Sequence, residues 1–117
     1  MTPKRGDRVA PPAGADEWEV RFGNGDAAKG WEELCQQAPT NTKNAWREMR
    51  TNPAPRPPTP RHHQLKGKYA YAEHRGRTMP CWQIEVTSGG RIWYLLDADK
   101  RTVWVTLADT AHPKATD

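Results

Sequence analysis

Cysteine is scarce in this chain of 117 residues, and no long apolar run interrupts it. Cys35 and Cys81 are too few for a disulfide framework, and neither stands in a CxxC or Cys/His spacing that holds zinc. Two reduced, partly buried thiols are the expectation. No stretch approaches the roughly 18 apolar residues that cross a bilayer. The basic N-terminus, MTPKRGDRVAPPAGAD, has no apolar core of the kind that directs secretion, so a cytoplasmic protein without membrane contact is expected. Also missing are a Gly-rich phosphate loop, a Ser/His/Asp order, any metal-ligand spacing and any internal repeat. The chemistry expected of such a chain uses neither metal nor cofactor. The length itself excludes a large multidomain enzyme.

The periodicity that is present defines a few elements. Residues 1–16 carry Pro, Gly and alternating charge with no apolar period, which predicts a flexible leader ahead of a domain over 17–117. From Glu17, Trp18, Val20 and Phe22 alternate with charged residues, as in a half-buried strand. Gly23-Asn24-Gly25 stops that strand, with Asp26 placed to cap a helix over Ala27 to Gln37. Pro39 closes the helix, and Thr40, Asn41 and Thr42 offer oxygens to cap a second one bearing Ala45, Trp46 and Met49. PAPRPPTPR then reads as an extended, solvated linker.

Further along, the period becomes two. Residues 65–74 are expected to add a short irregular strand that turns at Arg75-Gly76. Trp82, Ile84 and Val86, then Ile92, Tyr94 and Leu96, then Val103, Val105 and Leu107, are expected to form a three-stranded antiparallel meander, turning at Ser88-Gly89-Gly90 and at Asp97 to Lys100. The expected class is α+β: an N-terminal strand and a helical hairpin packed on an antiparallel sheet, with the first strand paired to a meander strand. Most of the six tryptophans read as core, while Trp93 and Trp104, on the opposite strand faces, are candidates for an exposed apolar patch.

The net charge of +4 is unevenly placed. Residues 54–78 hold Arg56, Arg61, Lys66, Lys68, Arg75 and Arg77 against Glu73 alone, together with His62, His63 and His74. Every other part of the chain is close to neutral. Cations interleaved with Tyr69 and Tyr71 suit a phosphate-bearing polymer whose bases stack on aromatic rings, and a soluble basic loop is the plainer alternative.

The order strand, two helices, meander, with LKG at 65–67, WQIEV at 82–86, GRIWYLLD at 90–97, RTVWV at 101–105 and AHPKATD at 111–117, resembles the RelE/ParE superfamily of type II toxin–antitoxin toxins. The resemblance covers about residues 17–117. It implies one of two activities on a shared fold. RelE-like members are metal-independent endoribonucleases that cut mRNA on the ribosome, leave a 2′,3′-cyclic phosphate and inhibit translation. ParE-like members bind DNA gyrase without acting as nucleases. Either kind is held in check by a cognate antitoxin protein, and a degenerate member that only binds antitoxin is a third possibility. Fold alone does not choose among them.

Metal-free RNA cleavage needs a base for the 2′-OH, cations for the phosphorane and an acid for the departing 5′-oxygen. The resemblance assigns Arg91, in Arg91-Ile92-Trp93-Tyr94, to the scissile phosphate, which a guanidinium can grip through two oxygens. It places His112 after the last strand as general acid or base, with Lys114 on phosphate. His63 and Lys66 fall where relatives keep a carboxylate base and a lysine, and a histidine there is a proton acceptor matched to neutral pH. Either His62 or His63 points inward, since neighbours on an extended chain face opposite ways. Gln83 and Glu85 stand where RelE has two lysines, so those lysine roles do not transfer. Glu85 is a candidate base or, in the free protein, a partner that neutralises Arg91. Lys68, Arg75 and Arg77 complete the expected RNA-binding set.

Overall fold

The computed structural model describes residues 3–9 and 11–111. Two helices pack on a mixed sheet of six strands: β1 (Glu19–Phe22), α1 (Gly25–Gln37), α2 (Pro39–Thr51), β2 (His62–Gln64), β3 (Tyr71–His74), β4 (Arg77–Glu85), β5 (Arg91–Asp97) and β6 (Thr102–Asp109). The strands run β1-β6-β5-β4-β2, with β3 paired to the other half of β4. The α+β class and the β4-β5-β6 meander agree with the sequence pattern. The sheet is not wholly antiparallel, because β1 pairs with β6 in parallel register, Val20 opposite Val103 and Phe22 opposite Val105. Almost the whole domain separates these two strands, and so long a connection can return the chain in the same direction.

The helix signals act one step away from where the sequence pattern puts them. Asn24, not Asp26, is the N-cap of α1, its side chain accepting from Ala27 N–H at 2.7 Å. Pro39 ends α1 and also opens α2, where the missing N–H of a first-turn proline costs nothing, so no side chain caps α2. Thr42, expected as a cap, is buried and donates its hydroxyl to Leu34 O at 3.0 Å, tying the two helices together.

Residues 6–9 of the expected leader are laid against the free edge of β1. Gly6 N–H donates to Phe22 O and Val9 N–H to Val20 O, both at 2.7 Å, while Val9 is buried in the main core. Pairing saturates an edge that would otherwise be open, and one apolar side chain among prolines and charges leaves no period to read.

The sheet has two faces with different covers. Val20, Phe22, Ile84, Ile92, Tyr94, Val103 and Val105 meet the helices. Leu65, Met79, Cys81, Leu95 and Trp104 form a second core on the other side, capped by the β3-β4 hairpin. A bulge where Trp93 and Tyr94 face Leu107 and Val105 shifts the alternation of β6, so Leu107 leaves the face of Val103 and Val105 and joins that of Trp93. Trp104 is buried, with Arg75 4.8 Å above its ring and His74 4.6 Å away, so it adds nothing to an exposed patch. Both cysteines are free, and burial pushes the Cys81 thiol up to about 11. Among the described residues no helix is long and apolar enough to cross a membrane.

Candidate functional site

On the face away from the helices, the register sorts the side chains into rows about 7 Å apart along the strands. Leu65, Cys81, Leu95 and Trp104 make the apolar row under the hairpin. Next come His63, Gln83, Trp93 and Leu107. The third row is charged throughout: Glu85 faces Arg91, Arg91 faces Asp109, and Arg61 stands beside Glu85, its carbonyl accepting Glu85 N–H at 2.7 Å.

Arg91 is buried, at 8% exposure. Its Nη1 donates to the carbonyls of Thr87, Ser88 and Gly90 at 3.1, 3.3 and 3.1 Å and lies 3.8 Å from Glu85 Oε1. Its Nε is buried without a partner. The backbone turn after β4 therefore holds one edge of the guanidinium, while another N–H remains unused. Glu85 keeps its side chain partly open, and with Arg61 it lines two small clefts, of about 290 and 240 Å³, between β4 and α2. Glu48 borders both clefts.

His63 and Lys66 meet elsewhere. With Gln64, Trp82 and Pro58 to Pro60 they line a groove of about 510 Å³ along the edge strand, and His63 Nδ1 is 3.2 Å from Thr59 O. His62 is the inward member of the pair. Its Nε2 bonds to the Tyr94 hydroxyl, which donates to Pro53 O at 2.5 Å, and its Nδ1 lies 3.8 Å from Glu48 Oε2. With the tyrosine proton committed to Pro53, His62 donates from Nε2. Burial drives its pKa down to about 4, so it is neutral at pH 7 and serves structure. Burial likewise carries the Tyr94 phenol well above its ordinary range, helped by the nearby Glu48 charge. The prolines at 53 and 55 are buried beside this cluster, so the segment expected as a solvated linker is anchored at its start.

The remaining expected residues are dispersed. Lys68 lies 5.3 Å over the Tyr69 ring and Arg75 over Trp104. Arg77 is paired with Asp97 and Asp99, at 3.3 and 2.7 Å. His112 and Lys114 lie outside the described residues. Thus Arg91 and Glu85 come together, and His63 with Lys66 forms a neighbouring group. The sequence pattern passes over Arg61 as a site residue, although it shares the parity of His63 on one extended stretch. Among the described residues, no three His, Cys, Asp or Glu side chains gather as metal ligands do.

No family model, curated protein or solved structure matches the chain.

Proposed function

We propose that this protein is a RelE-like toxin, a metal-independent endoribonuclease that cuts mRNA on the ribosome. The observation that carries the reading is the charged row, in which Arg61, Glu85 and Arg91 are neighbours across the strand register and Glu85 Oε1 lies 3.8 Å from Arg91 Nη1. Glu85 supplies a carboxylate able to accept the 2′-OH proton, and the Arg91 guanidinium beside it answers the charge of a phosphorane. β6 ends at Asp109, opposite Arg91. Lys66 on the edge groove, with His63 beside it, extends the cationic surface along the mRNA.

Cleavage of mRNA on programmed 70S ribosomes tests the proposal. The wild type is expected to cut, leaving a 2′,3′-cyclic phosphate, while Arg91→Ala and Glu85→Gln each slow the cut by about a hundredfold, the scale of one lost catalytic group. Transcripts left intact by the folded wild-type protein would overturn it. One observation favours the ParE-type alternative, a gyrase-binding protein. Arg91 is spent on three turn carbonyls and lies near Glu85, as an arginine with a purely structural duty would be. Intact transcripts together with a DNA-damage response on induction would establish that reading instead.

A further inference from the structure

At the opposite end of the same sheet face, a cavity of about 350 Å³ lies between the N-terminal segment and the tip of the β3-β4 hairpin, lined by Arg5, Phe22, Gly23, His74, Arg75 and Trp104. Among the described residues, two of the four buried side-chain polar atoms that lack a partner belong to this one cavity, His74 Nε2 and Trp104 Nε1. The indole nitrogen can only donate, and His74 Nε2 donates in the tautomer that keeps its proton there. A buried donor without a partner is costly, and here two occur together. Around them stand two guanidinium groups and no lining carboxylate. Asp97, whose charge reaches His74, already serves Arg77. The positive field is felt by His74, whose pKa is lowered first by burial and then by Arg75 and Arg5, against a smaller opposing pull from Asp97.

The backbone also carries a strain here. Arg75 and Gly76 form the two-residue turn of the hairpin with φ of 54° and 77°. A turn with two positive φ values favours Asn-Gly or Gly-Gly, and an arginine in the first position is unfavourable for the fold alone. The strained residue is the one whose exposed side chain lies over Trp104 and roofs the cavity.

We propose that this cavity is a phosphate-binding site, in which the Arg5 and Arg75 guanidinium groups grip the anion and the Trp104 indole N–H and His74 imidazole donate to it. Rotation of the Arg75 side chain off the indole admits the anion to the two donors. Several donors converging from different directions suit the oxygens of a phosphate, and the volume is that of a small-ligand pocket. The site stands apart from the charged row of Arg61, Glu85 and Arg91 and does not depend on nuclease activity.

Titration of the full chain with inorganic phosphate, followed by the Trp104 indole ¹⁵N–¹H resonance and assigned with Trp104→Phe, tests the proposal. The expected result is a saturable downfield shift, weakened about tenfold or more in both Arg75→Asn and Arg5→Ala, the effect of losing one charge-assisted contact. Arg75→Asn creates the preferred Asn-Gly turn, so it should unfold at the same temperature as the wild type or higher, which separates loss of the anion from loss of the fold. A short oligoribonucleotide distinguishes the two sources. In phosphate-free buffer the oligoribonucleotide alone reproduces the downfield shift if the site takes backbone phosphates, and leaves the resonance unmoved, with the inorganic phosphate titration unaltered in its presence, if the site takes a free phosphate. No phosphate-dependent movement of the Trp104 resonance, or equal affinity in Arg75→Asn, would overturn the proposal.

Discussion

His62 and His63 are adjacent, yet their surroundings divide them completely. His63 sits at the rim of an open groove, whereas His62 is enclosed by Tyr94, Trp82 and the start of the 53–61 segment. A folded-state pKa of about 4, below the ordinary 6.5, means that the unfolded chain binds a proton more readily than the native protein does. Stability is therefore unaffected by His62 above pH 6.5, falls as the pH drops from 6.5 towards 4, and loses no more below that. The melting temperature of the wild type should decline through this window, and His62→Gln, which cannot be protonated, should remove that part of the decline. A parallel fall in both proteins would show that the carboxylates alone cause it. Only the alternation of facing was legible here. Which histidine is enclosed depends on Tyr94 and Pro53, both remote in sequence, and no local pattern announces them.

Among the elements, α1 shows how packing reverses an intrinsic preference. Gly30 lies in the interior of that helix, where alanine is ordinarily better by about 1 kcal/mol. A Cβ at this position would stand 1.8 Å from the carbonyl oxygen of Ala108 on β6, a backbone atom that cannot step aside. Gly30→Ala is thus expected to destabilise the protein by about 2–3 kcal/mol, the cost of overpacking a close contact, as measured by urea unfolding. Gly25→Ala at the start of the same helix, where nothing lies within 4 Å of the added carbon, serves as the control and should change stability little. The strand stop at Gly23 to Gly25 and the closing Pro39 announce the first helix, and the period of two announces all three meander strands. The bulge in β6 and the parallel entry of β1 were not legible, because both are settled by partners across the sheet. Even so, the candidate site could be read in part, because Arg91 and Glu85 flank one hairpin turn and their pairing follows from alternation once that turn is placed.

Over the whole molecule, the basic excess of residues 54–78 divides into cations that hold the fold and cations that face solvent. Sequence gives the sum of charge but not this division, which depends on where acidic partners from β5 and its following turn arrive. Arg77 bridges Asp97, which is buried at 3% exposure, and Asp99, which is open. Lys66 lies exposed at the rim of the edge groove with no acidic partner among the described residues. If the protein grips RNA through that groove, the two substitutions should part ways. Arg77→Ala leaves Asp97 with less than its full set of partners and should cost about 1–2 kcal/mol of stability, while the affinity of the folded protein for a single-stranded oligoribonucleotide stays near that of the wild type. Lys66→Ala should leave stability within about 0.5 kcal/mol and should weaken RNA binding, lowering the slope of log affinity against log salt by about 0.7, the release of one counterion from a single strand. Measuring both slopes on the same oligonucleotide decides the point. An unchanged slope in Lys66→Ala would remove the groove from the RNA path and leave the charged row of Arg61, Glu85 and Arg91 to bind alone.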